Sequence, residues 1–143
     1  MNHQSGICVA GNMIVDISYP VDVLPKSGEL VPITGEAIRT TGGAVCNVAA
    51  DLARLDPSMK ITALGRIGCD PEGDLVLRYL GSHPNLDCSH VLREGTTSFT
   101  LVINENISRQ RTFFTFGGAG DAFTEEDIPW DELDAKILHS NPI

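Results

Sequence analysis

One amphipathic helix held between two short apolar runs sets the architecture of this chain. Val45, Val48, Ala49, Leu52 and Leu55 recur at i, i+3, i+4, i+7 and i+10, with Asp51 and Arg54 on the other side. That periodicity belongs to a helix lying with one face on a core. Gly42-Gly43 open it and Pro57 ends it. Before it comes Ile7-Cys8-Val9-Ala10, stopped by Gly11, and after it Ile61-Thr62-Ala63-Leu64. Both runs read as buried strands. Asp70-Pro71-Glu72 then predicts a second helix, with Asp as N-cap, Pro at the first helical position and an acid that suits the dipole. Leu75, Val76 and Tyr79 carry it to about Leu80, and Gly81 stops it. Strand, helix, strand, helix predicts a parallel sheet covered by helices.

Two stretches do not fit that layer. Residues 17–41 are broken by Pro20, Pro25, Gly28, Pro32 and Gly35 into short extended pieces, so no core helix forms there. Ser98–Ile103 alternates with period two, as does Arg111–Phe116 less cleanly, and the polar loop 104–110 joins them as a hairpin. Together they predict a separate small β element rising from the sheet. Val91-Leu92 reads as a short strand, Gly117-Gly118-Ala119-Gly120 as a tight loop, and Ala135–Leu138 as the start of another buried strand. Thr124-Glu125-Glu126-Asp127 resembles a capping box with Asp in place of Glu.

Composition narrows the function classes. Ten basic against 19 acidic residues give 10 − 19 = −9, so the net field opposes nucleic acid. No apolar run nears the roughly 20 residues that span a bilayer. The N-terminus lacks a basic n-region and a long apolar stretch, so no signal peptide and a cytoplasmic location are expected. The four cysteines, Cys8, Cys46, Cys69 and Cys88, form no C-x-x-C pair and read as reduced apolar packers.

Four segments could carry chemistry. Asp16 follows the first strand closely, where open α/β sheets bind ligands. Its carboxylate suits sugar hydroxyls, although a turn or a helix cap would also use an Asp there. Gly42-Gly43 let a ligand approach the backbone, the helix start offers free N–H groups, and Asn47 in the first turn both donates and accepts. A flexible helix start needs the same glycines. Asp70, Glu72 and Asp74 loosely mimic a calcium loop, but Pro71 and the missing later ligands favour a loop with a helix cap. Gly118-Ala119-Gly120-Asp121 could be an anion cradle followed by a base, or simply a loop leaving the hairpin.

Taken together these stretches resemble the ribokinase-like (PfkB) family of carbohydrate kinases, from about Ile7 to Leu138. The likeness is carried by the first strand with Gly11 and Asp16, by Gly42-Gly43-x-x-x-Asn47, by Gly65-Arg66-Ile67-Gly68-x-Asp70-x-x-Gly73, and by the Thr97…Arg111-Thr112 hairpin. It covers the N-terminal half of a usual member. The resemblance implies a three-layer α/β fold with a parallel sheet and a protruding β-strand lid, incomplete at the C-terminus. Residues 1–143 would be the N-terminal part of that domain, with lid segments at about 17–41 and 98–116.

The resemblance also implies a sugar or nucleoside as substrate, bound by Asp16, Gly42, Gly43 and Asn47. ATP and Mg²⁺ would serve the full-length member, whose anion hole and catalytic base lie in the half not spanned here. No catalytic residue, metal or cofactor is therefore expected on this chain, nor turnover by it alone. A lid of this kind often makes a dimer, so a homo-oligomer is expected. A non-catalytic sugar-binding or dimerisation module is the alternative. Gly118-Ala119-Gly120-Asp121-Ala122-Phe123 mimics the family's C-terminal signature but lacks its Asp-Thr lead, so Asp121 is not assigned as the base. Three positions depart from the family: Val45 for a smaller residue, Asp56-Pro57 for the usual Gly, and Ile14 for a sugar-binding Asn, which argues against ribose. The tail from His139 also diverges, as a shortened or frameshifted gene would explain.

Overall fold

The structure is a computed structural model and describes residues 5–141. The first four residues, part of the stretch read for a signal peptide, and the last two of the divergent tail lie outside these. Four parallel strands form the main sheet in the order β10-β1-β4-β6: β1 (Ile7–Ala10), β4 (Ile61–Leu64), β6 (Leu86–Asp87) and β10 (Ile137–Ser140). Helices α1 (Gly43–Leu55) and α2 (Pro71–Gly81) cover one face. Val9, Ile61 and Ala63 are buried there with Val45, Cys46, Ala49, Ala53, Val76 and Leu80. On the other face Cys8, Ala10 and Leu64 are buried with Phe123 and Ile128, and Leu133 packs against them. The residue-by-residue alternation of β1 between these clusters shows a strand buried on both sides.

The second sheet runs β3-β2-β8-β9: β2 (Ile14–Val21), β3 (Ile38–Gly42), β8 (Ser98–Glu105) and β9 (Arg111–Phe116). This is the separate β element expected from the sequence, and β8–β9 is the expected hairpin. One detail differs: β2 runs eight residues straight through Pro20 rather than breaking there. Its pairing with β3 ends at Ser18, so Pro20 lies beyond that ladder, where a missing N–H is tolerated. A small ladder of β5 (Arg66–Ile67) with β7 (Leu92–Arg93) completes the strands. Neither β5 nor β6 was read from the sequence, because two residues carry no periodicity.

Two further expectations are corrected and one holds. The 117–120 segment is a helical turn, α3 (Gly118–Asp121), rather than a plain loop. The capping box is present as expected, with Thr124 and Asp127 bonding each other's backbone, and it opens a single 3₁₀ turn over Glu125–Asp127. The strand expected at 135–138 is β10, shifted two residues later, and it is an edge strand in which Ile137 and Leu138 are both exposed rather than buried. Among the described residues no helix is long and apolar enough to cross a membrane.

Candidate functional site

Strand register brings the polar candidates onto one face of the second sheet. Asp16 pairs with Thr40 on β3 and with Thr100 on β8, and Thr100 pairs with Thr115 on β9. Residues two apart share a face, so a row of three threonines and one carboxylate crosses the sheet. Asp16 thus sits inside β2, not just past the end of β1. Gly11 has φ +141°, and the chain turns there into a new strand that carries the carboxylate onto the second sheet.

The neighbouring row on that face is Gly42–Ile14–Ser98, and Ser98 bonds on to Gly117 through its hydroxyl. The Asp16 carboxylate lies directly against Gly42: a Cβ there would be 2.8 Å from Asp16 Oδ2. Gly43, with φ +81°, needs glycine for conformation, and a Cβ would meet the Asn12 carbonyl oxygen at 2.7 Å. Asn47 is exposed and stands at the fifth helical position of α1, one turn beyond Gly43 on the same flank, not in the first turn.

Sequence reasoning missed Asn12. Gly42 supplies no side-chain cap to α1, so the cap comes from 32 residues away. Asn12 Oδ1 accepts the Ala44 N–H at 3.1 Å and the Asn12 carbonyl accepts the Val45 N–H at 3.3 Å. These two donors are therefore not free for an anion, contrary to the expectation. A borrowed cap of this kind is worth about 1 kcal/mol, and it fixes the Gly42-Gly43 backbone relative to β2. The only sequence signal is negative: a helix opened by two glycines must find its cap elsewhere.

The acidic loop at Asp70 is a fastening rather than a calcium site. Asp70 Oδ1 accepts the Gly73 N–H at 2.8 Å and the Thr97 hydroxyl at 2.5 Å, and Oδ2 accepts the Thr97 N–H at 2.8 Å. Thr97 Oγ1 in turn accepts the Gly68 N–H at 2.9 Å. This ties the start of α2 to the base of β8. Among the described residues no group of three acids, histidines or cysteines could hold a metal. Partial burial pushes the Asp70 carboxyl up, but the bonds from Thr97 and Gly73 outweigh it and hold the group below the usual carboxylate value. A depressed folded-state pKa gives stability above the unfolded pKa of about 3.9 that is lost as pH falls through the folded value. Urea-melt midpoints should therefore fall as the pH is lowered from about 5 to below 3. Asp70→Asn, which still caps, should flatten that part of the profile; an unchanged slope would contradict the assignment.

Burial raises the Cys46 thiol to about 12 and the Cys8 and Cys88 thiols to about 11. All four cysteines are free, and these three are protonated packers at neutral pH.

A cavity of about 290 Å³ opens at the foot of the polar face, lined by Gly11, Asn12, Ile14, Ser98, Thr115 and Asp121 among others. A family model described as pfkB family carbohydrate kinase matches residues 4–141. The chain belongs to the pfkB family of carbohydrate kinases. Solved structures agree on the fold: Sa239 matches with a TM-score of 0.83 at 22% identity, over 95% of this chain and 45% of that one. Ribokinase from Arabidopsis thaliana, complexed with ribose and ATP, matches with 0.81 at 24% identity, again over 95% and 45%. Ribokinase from Thermotoga maritima matches with 0.81 at 25% identity, over 94% and 44%. The chain thus spans less than half the length of these proteins. No curated protein matches it.

The departures from the pfkB pattern have physical accommodations. Val45 is fully buried, and its Cγ2 packs beside Gly11, where a Cβ would sit 3.7 Å away. Asp56-Pro57 is held by Asn85, whose Nδ2 bonds the carbonyls of Ala53, Asp56 and Met59 at 3.0–3.2 Å. At the foot of the polar face the described residues offer no cradle for a triphosphate. Triphosphate needs basic side chains or free helix-start donors. The Ala44 and Val45 donors at the start of α1 are taken by Asn12, Asp70 caps α2, and no Lys or Arg lines the cavity at the foot of that face.

Proposed function

We propose that this chain is the acceptor-binding part of a sugar or nucleoside kinase. Asp16 takes substrate hydroxyls, Gly42 and Gly43 allow close backbone approach, and Asn47 donates and accepts at the flank of α1. The γ-phosphate of ATP, with Mg²⁺, and the catalytic base come from the part of the family fold that this chain does not span. The observation that supports this most is the Asp16 carboxylate seated on Gly42 within the row Thr40–Asp16–Thr100–Thr115. Phosphoryl transfer rests on positioning and charge stabilisation of the moving group, so acceptor binding without a donor site gives no turnover. Calorimetry with D-ribose, D-fructose and adenosine should find a ligand, and Asp16→Ala should weaken it about tenfold or more. Coupled ADP release should stay at background. Unchanged binding by Asp16→Ala overturns the site, and robust turnover overturns the division of labour.

Segments 17–41 and 98–116 form the lid in this reading, and the lid also mediates self-association. Phe113 and Phe114 are each 56% exposed and Phe116 is 45% exposed on one outer strand. Three aromatic side chains at such exposure favour burial against a second copy. The charge of −9 opposes contact, but it is screened beyond roughly 8 Å at physiological salt. Size-exclusion chromatography with light scattering should give a dimer or larger species; a single 15.4 kDa peak at micromolar concentration contradicts it.

A further inference from the structure

Strand β9 forms one edge of the second sheet and pairs on one side only, with β8. Its six residues, Arg111–Phe116, hold no proline or lysine, the usual guards of an open edge, and one charge, Arg111 at the first position. All but Thr112 are exposed. The Glu105 N–H bonds the Gln110 carbonyl at 3.0 Å, and bonded pairs alternate along an antiparallel ladder. Thr112, Phe114 and Phe116 therefore bond to β8, while Arg111, Phe113 and Thr115 turn their N–H and C=O groups outward. These three share the sheet face that carries Asp16, and Thr115 ends its polar row.

The two ends of this edge carry opposite charges. Arg111 stands at the start, its guanidinium over the Phe113 ring at 5.5 Å. Just past the other end, the Asp121 carboxylate rests against the Cα of Gly117. Neither side chain enters any of the described ion pairs. An antiparallel partner strand brings the start of one edge to the end of the other. A second copy of β9 thus offers each of these charges its opposite, on both sides of a two-fold axis. Residues directly opposite share a face, so edge-facing residues must meet edge-facing residues. With Phe114 opposite itself, Phe113 meets Thr115 and Arg111 reaches Gly117, the residue on which Asp121 rests.

We propose that a second copy of this chain pairs with β9 edge to edge, antiparallel, about a two-fold axis at Phe114, with Arg111 of each copy against Asp121 of the other. Two four-stranded sheets then join into one, and the two Phe114 rings form a cross-strand pair on the face away from Asp16. The row Thr40–Asp16–Thr100–Thr115 ends on the partner's Phe113. This rests on the lid self-association proposed above and assigns it to the strand edge.

Size-exclusion chromatography with light scattering over a dilution series tests the charge pair. Arg111→Glu and Asp121→Arg should each raise the dimer dissociation constant about tenfold or more, and the double exchange should recover most of the loss. Cross-linking tests the register. The Cα atoms of an opposed, non-bonded antiparallel pair lie about 4.5 Å apart, within disulfide reach. Cys69 is the exposed cysteine of the four, so Cys69→Ser is the background. Phe114→Cys in that background should form a covalent dimer under copper-catalysed air oxidation, and the background alone should not. A parent that is monomeric at micromolar concentration overturns lid self-association and this proposal together. A parent dimer that ignores Arg111→Glu, a double exchange that recovers nothing, or a Phe114→Cys protein that stays uncross-linked overturns the edge pairing and leaves lid self-association in place.

Discussion

Replacing Asp127 with alanine should cost the fold about 3 kcal/mol. Asp127 holds two partners at once. Oδ1 accepts a hydrogen bond from Arg66 Nη2 at 2.8 Å and Oδ2 accepts the Thr124 N–H at 2.9 Å. The side chains of Arg66 and Asp127 are only 19% and 16% exposed, so removing the acid leaves a half-buried guanidinium uncompensated. Arg66 Nε is buried without a partner among the described residues. Glu94, at 3.6 Å and 79% exposed, is too solvated to take over. Thermal unfolding should fall by roughly 10 °C for a chain of this length. Asp127→Asn keeps an acceptor for Thr124 and should lose less. The double variant Arg66→Met, Asp127→Ala should recover part of the loss, since no charge is stranded. A drop below about 1 kcal/mol in Asp127→Ala would show that water already screens the pair.

That pair also explains what a sequence can and cannot show. Thr124–Asp127 is legible as a capping box because all its partners lie within four residues. The reason for Asp rather than the longer Glu is not legible there, because Asp127 must also meet Arg66, 61 residues back. α1, α2 and the β8–β9 hairpin were readable for the same local reason: their periodicities are complete within one segment. Asn12 and Asn85 were invisible, because each satisfies backbone groups of a helix about 30 residues distant in sequence. The polar row was also hidden. Thr40, Asp16, Thr100 and Thr115 become neighbours only once three strand pairings and their registers are set, and a slip of one residue would turn each to the other face. Asp16, Gly42, Gly43 and Asn47 came from a motif pattern; their spatial relation came from topology.

Gly42→Ala should separate the acceptor site from the fold. Gly42 has φ −147° and ψ −165°, extended backbone that alanine adopts without strain. The atom its Cβ would meet, Asp16 Oδ2 at 2.8 Å, is the free end of a flexible side chain. The substitution should therefore change stability by less than about 1 kcal/mol while moving the carboxylate out of its row. Ligand affinity should fall about tenfold or more, matching Asp16→Ala, because an acid shifted by about 1 Å no longer meets the same hydroxyls. Combined with Asp16→Ala, it should add almost nothing, since the carboxylate it acts through is gone. Gly43→Ala provides the contrast: at φ +81° and against the Asn12 carbonyl, it should cost stability of about 1–3 kcal/mol first and binding as a consequence. Calorimetry and urea melts on the parent and the four variants decide the matter. If Gly42→Ala binds as tightly as the parent, or if its losses add to those of Asp16→Ala, then Gly42 does not act by seating Asp16, and the two-residue unit at the centre of the proposed acceptor site is wrong.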